Sequence, residues 1–362
     1  MGDLAPATRH AGGTTHSERG GDPGLADIGV VYLYRFAEGE LPARTFLDSY
    51  RAHPAGIEHD LHVIFKGFPD ARALASARTM FAGVPIDPIE LDDTGFDVGS
   101  YFAAAKRVSN RRLIFFNTFS ELLADEWLKK FDNALSLPKV GVVGATGSWQ
   151  SLSSYYEVLL RLGWDEFRER LRRFSDIFTG RTPTHLQSVH KSQASGLIRP
   201  SADSPKAALG RGIYLLLRPD RYIVRLYEYG RYPNPHVRTN AFMIERDLFL
   251  SLYAPSFDKK LDAYRFESGR RSMTKRIMAQ GLKPVLLDRN GHSYEISEWK
   301  ASSIYWVGQQ ANLIAADNRT RQYASGSLER RARLQDHAWV HPGSWTFEVH
   351  RSRLVHHEGD EG

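Results

Sequence analysis

From about residue 28 the chain alternates between short apolar runs and stretches with helical spacing. "IGVVYLYRF" (28–36) reads as a strand. A helix follows from Pro42, whose fixed φ suits a first helical turn, with Phe46, Leu47 and Tyr50 on its inner face. "LHVIFKGF" (61–68) predicts a second strand and "DARALASARTMFAG" (70–83) a second helix, with Asp70 as N-cap and Gly83 near its end. "IDPIEL" (86–91), "VGSYFAAAKRVS" (98–109) and "RRLIFF" (111–116) continue as strand, helix and strand. "ADEWLKKFDNAL" (124–135) puts Trp127, Leu128, Phe131 and Leu135 on one face, and "VGVVGATGS" (140–148) is a fifth strand. Five alternations predict a Rossmann-like three-layer α/β/α fold around a mostly parallel sheet.

Past residue 150 the pattern is less regular. Phe167, Leu171, Phe174 and Phe178 form one stripe, so "ERLRRF" (169–174) reads as a helix whose arginines face water. Residues 213–229 read as two strands around Pro219-Asp220, and 284–296 as a hairpin turning at Asn290-Gly291. The polar segment 181–212 has no periodicity and is expected to be a mobile insertion that orders over substrate. Residues 1–26, rich in Gly, Thr, His and Asp, are expected to be disordered. The tail from about 325 also lacks periodicity, although Trp339, Trp345 and Phe347 point to partial packing.

With 362 residues, 42% of them hydrophobic, the chain can build one large domain or two modest ones. No run approaches the roughly 18 apolar residues that a membrane span needs, and the N-terminus has no apolar signal region. The absence of cysteine excludes disulfides and thiolate chemistry, and a cytoplasmic setting is expected. A formal charge of +6 suits phosphorylated substrates, nucleic acid or an anionic membrane face without choosing among them. No block of like charge is long enough for a nucleic-acid arm.

Polar clusters fall at the strand ends, where open α/β sheets place their working residues. "LDDTGFDVGSY" (91–101) crowds Asp92, Asp93 and Asp97 after the third strand. They could bind a ribose or base, with the following helix N-terminus offered to a phosphate; alternatively Asp97 is only that helix's N-cap. "FNTFSE" (116–121) supplies Asn117, Ser120 and Glu121, oxygen donors of the kind that hold Mg²⁺ or Mn²⁺; alternatively Ser120 or Asp125 caps the next helix. In "YPNPHVRTNAFMI" (232–244), His236, Arg238 and Asn240 alternate as if on one strand face, suited to sugar hydroxyls or phosphate. In "RFESGRRSMTKR" (265–276), Glu267 precedes Ser268, read as an N-cap, which would poise the carboxylate as a base. Trp299, Trp306, Gln309 and Asn312 could line a sugar platform, though aromatics at helical spacing are more often core; Asp317-Asn318-Arg319 would end that helix. Phosphate-loop, zinc-protease and nucleophile-elbow motifs are absent.

Taken in order, these stretches resemble a glycosyltransferase of the GT-A fold, similar to rhamnan-synthesis F-type and family 2-like bacterial polysaccharide glycosyltransferases. "DDTGFDVGSYF" resembles the family's N-x-G-R-D-[IV]-G-P-[FY] segment, and "NTFSEL" sits where it has its short N-D-S-like segment, the usual place of the metal-binding acidic motif. "VGATGSWQS" and "NPHVRTNAFMI" correspond to its later strand and H-[FLV]-x-[ST]-x-x-[FL] segment, and "FESGRRSMTKRIMAQGLKP" is similar to its F-E-D-x-x-L-x-x-R region. Two positions depart: Glu267 is followed by Ser268-Gly269 instead of a second acid, and Asn117 and Glu121 replace Asp-x-Asp. The resemblance implies a GT-A domain over 27–324, with a nucleotide-binding half (27–150) and an acceptor half (151–324), followed by a partly disordered tail (325–362). It implies a nucleotide-sugar donor, a glycan or lipid-linked acceptor, Mn²⁺ or Mg²⁺ as candidate metals, and peripheral membrane association. Glu267, His236 and Asp93 would be catalytic; Asp97, Lys66, Asn117, Arg238 and Asn240 would hold the nucleotide sugar, and Glu121 a metal. A non-catalytic carbohydrate-binding or scaffold protein and a nucleotidyltransferase remain as alternatives.

Overall fold

The protein was analysed as a computed structural model, which describes residues 26–155, 157–158, 227–253 and 257–344. Strands β1 (Ile28–Arg35), β2 (Asp60–Lys66), β3 (Asp87–Leu91) and β4 (Arg112–Phe116) lie side by side in the order β3-β2-β1-β4, all parallel. The short strand β5 (Glu121–Leu122) leaves this sheet. On the far side of β4 the sheet continues through β9 (Ala241–Glu245), β6 (Val140–Gly144), β10 (Lys283–Leu287) and β11 (Ser293–Tyr294). Of these, β9 is antiparallel to both neighbours and β11 closes a hairpin with β10, turning at Asn290-Gly291 as the sequence predicts. The result is the expected three-layer α/β fold with a mostly parallel sheet.

Two faces of one strand show how the layers form. Val30, Tyr32 and Tyr34 face one core with Phe46 of α1 (Glu40–Ala52), Ala77 of α2 (Ala71–Thr79) and Trp127 of α4 (Trp127–Leu135). Val31 and Leu33 face the opposite core with Tyr101 and Phe102 of α3 (Phe96–Ala105). The chain therefore winds outward along one face through α1 and α2, then crosses to the other face with α3 to place β4 beside β1. That reversal opens a crevice at the carboxyl ends of β1 and β4, where ligands bind in open α/β sheets.

Local starts and stops differ from the sequence reading in instructive ways. Asp70 caps α2 as expected, accepting from Ala73 N at 2.8 Å. The N-cap of α3 is Gly95 (φ 76), not Asp97, which sits in the first turn. Neither Ser120 nor Asp125 caps α4; Glu126 stands there in a left-handed conformation without a side-chain cap. Beyond β9 come α5 (Arg246–Ser251), α6 (Lys260–Ser268) and α7 (Met273–Met278). Ser272, not Ser268, caps α7.

The region 299–316 is not a helix. It winds through short turns; Trp299 is core, and Trp306 is mostly buried but also borders the cleft at the carboxyl edge of the sheet. Asp317 then begins α8 (Asn318–Ala324) instead of ending a helix. A further helix, α9 (Leu328–Trp339), occupies a stretch in which no periodicity was expected. All but Ala26 of the segment 1–26 expected to be disordered, the 167–178 helix, the 181–212 insertion and most of the 213–229 hairpin lie outside the described residues. Among the described residues no helix is long and apolar enough to cross a membrane.

Candidate active site

A cleft of about 690 Å³ opens at the carboxyl edge of the sheet. Its lining brings together six of the nine residues expected to be catalytic or to bind donor or metal, Asp97, Asn117, His236, Arg238, Asn240 and Glu267, and also Trp306 of the expected sugar platform. The six arrive from α3, the β4 exit, the segment between β8 (His236–Val237) and β9, and α6. Thus His236, Arg238 and Asn240 do meet, but not as one face of one strand. His236 belongs to β8, which pairs with β7 (Gly147–Ser148) in a separate small sheet, and the chain turns at Arg238–Asn240 before β9.

Glu267 lies in the last turn of α6, not before a helix. Its Oε2 accepts from Thr239 N at 2.8 Å and Thr239 Oγ1 at 2.6 Å, which fixes the carboxylate and leaves Oε1 for a ligand. His236 is buried, and its Nδ1 lies 2.8 Å from Asn234 O. A carbonyl can only accept, so Nδ1 carries the proton and Nε2 is the basic nitrogen. Burial pushes the imidazole pKa below its ordinary value, outweighing the Glu267 charge, so the ring is held neutral.

Arg238 donates to Asp317 Oδ2 at 2.9 Å and lies 4.6 Å from the centroid of the Tyr305 ring. Burial alone would lower its pKa, but the Asp317 carboxylate reverses that and raises it, so the guanidinium stays charged. Asn240 Oδ1 accepts from Thr146 Oγ1 at 2.8 Å, while its Nδ2 is buried with no partner among the described residues.

Asp97 meets the water of the cleft while protein walls it in. Desolvation is the largest influence on it and raises its carboxyl pKa, against the opposing charges of Lys66 and Arg35. Lys66 is buried, and its Nζ donates to Phe96 O at 2.6 Å. Burial lowers its ammonium pKa, partly offset by Asp97 and Asp93. That bond braces Phe96, a half-exposed ring in the left-handed region (φ 49) on the cleft wall. Trp306 (φ 51) is a second left-handed aromatic lining the same cleft. Each such residue costs of order 1–3 kcal/mol and persists where surrounding contacts hold it, most often at functional sites.

Three of the expected site residues stand outside the lining. Asp93 forms a two-pronged pair with Arg35 (2.8 and 2.7 Å), a bond that lowers its pKa. Gly67 makes room for it, since a Cβ there would sit 2.8 Å from Asp93 Cβ. Lys66 lies beneath Phe96, as above. Glu121 is in β5, paired with β12 (Ala315–Ala316), and its Oε2 takes Arg321 Nη1 at 2.9 Å.

The two residues expected at the metal position are already engaged. Asn117 Oδ1 is committed to its own turn, accepting from Phe119 N and Ser120 Oγ, and Glu121 is committed to Arg321. Among the described residues no three His, Asp or Glu side chains converge as metal ligands would.

Several lining residues went unnoticed in the sequence: Thr239, Lys260, Tyr305, Arg330 and Arg333; Arg319 was read only as part of a helix end. Arg330 and Arg333 share a face of α9 with Leu334 and His337, at spacings of three, four and seven that a helix brings together. The signal was present, with Ser327 as N-cap, but the polar character of the stretch concealed it.

No protein-family model and no curated protein matches this chain. Among solved structures it is similar to a mannosyltransferase from Pyrobaculum calidifontis in complex with GDP-Man and Mn²⁺, at a TM-score of 0.40 and 10% identity. That likeness covers 93% of this chain and 76% of the other. It is also similar to mouse xyloside xylosyltransferase 1 (TM-score 0.35, 16% identity, 72% and 85% covered). A third likeness is to S. aureus TarS with UDP-GlcNAc (TM-score 0.26, 14% identity), over 32% of this chain and 33% of the other.

Proposed function

We propose that the protein is a GT-A-type glycosyltransferase, transferring a hexosyl or deoxyhexosyl group from a nucleoside-diphosphate sugar to a hydroxyl of a glycan or lipid-linked acceptor. Its proposed setting is bacterial cell-surface polysaccharide synthesis. The observation that carries this reading is the cleft at the sheet's switch point, which holds a fixed carboxylate, Glu267, among several cations. Sugar transfer with inversion at the anomeric carbon uses that combination. Glu267 Oε1 accepts the hydroxyl proton of the acceptor as its oxygen attacks the anomeric carbon. The bond from that carbon to the diphosphate breaks, and the charge that develops on the leaving group is met by cationic side chains. Phe96 and Asp97, which line the cleft at the start of α3, would hold the nucleoside. Arg238 and Asn240 line it and would meet the phosphates, and His236 Nε2 would be a second acceptor for a hydroxyl proton. Asp93 would act on the nucleoside side, through Arg35 and Lys66.

A nucleoside diphosphate should stabilise the fold by mass action, by about 2.7 kcal/mol at a concentration a hundred times its Kd. Thermal melting with uridine, guanosine and deoxythymidine diphosphates is expected to show a rise for at least one, and a smaller rise for its monophosphate. No rise with any of them, with or without Mn²⁺, would remove the support for this reading.

Asp97→Asn separates stability from binding. The folded protein raises the Asp97 pKa, so between the ordinary carboxylate value and the folded value the native state holds more protons than the unfolded chain. Stability therefore falls as pH rises through that window. Asparagine has no such penalty, so the variant should melt slightly higher at neutral pH and bind the nucleoside diphosphate more weakly. Unchanged affinity in the folded variant would leave Asp97 without a binding role.

A further inference from the structure

We infer that Arg330 and Arg333 of α9, together with Arg319 of α8, form a phosphate-binding subsite of the cleft that needs no divalent metal. The inference rests on the transferase reading for its context and goes beyond it in naming what holds the phosphates. All three side chains line the cleft. The neighbouring ion pairs are already complete within themselves: Arg238 with Asp317, and Arg321 with Glu121. The Arg319 guanidinium has only a long contact to Gln322 Oε1 (3.4 Å), and none of the three guanidinium groups has a carboxylate partner among the described residues.

The position of this cationic face is fixed. Trp339 Nε1 donates to Tyr305 O at 2.7 Å, Trp149 N donates to Ala338 O at 3.0 Å, and the Trp149 and Trp339 rings meet edge to face. Those contacts anchor the C-terminal end of α9 beside the cleft, and Arg330 and Arg333 lie on the turns before it. Guanidinium forks match phosphate oxygens two at a time and stay charged at any physiological pH. Where the expected metal position carries Asn117 and a Glu121 already paired, the neutralising charge comes from these arginines.

Inorganic pyrophosphate is the probe, because it carries neither sugar nor base. Calorimetric titration of the full chain in EDTA should show that metal-free pyrophosphate binds. The double variant Arg330→Gln/Arg333→Gln should bind about tenfold more weakly or worse, given the usual strength of hydrogen bonds to charged groups. Arg319→Gln alone should show a smaller loss, and Arg44→Gln, on the exposed surface of α1, none. The single variants keep the test open if the double variant folds poorly.

Binding that disappears in EDTA, or that survives in the double variant, would overturn the inference. Competition then separates two sources of the phosphates. Displacement of pyrophosphate by uridine or guanosine diphosphate assigns the subsite to the donor. Displacement by farnesyl diphosphate and not by nucleotides assigns it to a lipid-linked acceptor, and displacement by neither counts against the subsite. A protein that binds pyrophosphate through these arginines but transfers no sugar would retain the inference and lose the transferase reading.

Discussion

Glu267→Gln is expected to slow sugar transfer roughly 10²- to 10⁴-fold, the usual contribution of a positioned general base. The substitution keeps the shape of the side chain. Its amide oxygen can still accept from Thr239 N and Oγ1, which hold Oε2 at 2.8 and 2.6 Å. What it loses is the capacity to take a proton, along with the charge assistance in those two bonds. The stability cost should therefore stay near about 1 kcal/mol. Turnover with a nucleotide sugar and a hydroxyl acceptor, paired with urea denaturation, reads both quantities. Transfer at the normal rate by a slightly less stable variant would remove Glu267 from the chemistry. His236 would then be the next base to test, because its Nδ1 is committed to Asn234 O and burial keeps the ring neutral. Asp93 follows it, although the carboxylate is already tied to Arg35.

How much of this was legible in the sequence varies with the source of each signal. The β1 to β4 half was legible because its order is local: apolar runs mark the strands, and stripes such as Trp127, Leu128 and Phe131 mark the helix faces. The same locality explains why the cleft residues at strand ends could be named at all. Roles that depend on which neighbour arrives from far along the chain were not legible. Glu267 was read as preceding a helix, yet it closes α6 and is held by Thr239, 28 residues earlier. Glu121 was read as a metal ligand, and Arg321, 200 residues later, takes its carboxylate instead. His236 and Arg238 alternate as a strand would, but the small sheet formed with β7 ends after Val237 and the chain turns there. The basic face of α9 failed for a different reason: a helix whose lining side is Arg330, Arg333 and His337 has no apolar stripe to reveal it. Its few buried groups, Ala338 and Trp339, sit at the very end.

Arg238→Ala should destabilise the protein by about 3–5 kcal/mol, the cost of leaving a buried charge without its partner. Asp317 has no exposed surface and cannot swing out to water, because Oδ1 also caps α8 by accepting from Arg319 N (3.0 Å) and Thr320 N (2.8 Å). The variant also removes a cation from the face of Tyr305. The pH dependence identifies the cause. In the parent protein burial would raise the Asp317 pKa, but Arg238 and the Thr320 bonds depress it. That contribution to stability is present above the ordinary carboxylate value and is lost as pH falls through the folded one. Without Arg238 the dominant influence left is burial, so protonation of Asp317 becomes favourable to the fold. The stability gap between variant and parent should accordingly be widest at neutral pH and narrow in acid. Adding Asp317→Asn to the variant should recover part of the loss, since asparagine caps a helix about as well as aspartate and carries no charge. Urea denaturation of the parent, both single variants and the double variant at neutral and acidic pH gives the full cycle. A gap that stays constant across pH, or no recovery in the double variant, would mean that the ion pair with Asp317 is not what makes Arg238 necessary to the floor of the cleft.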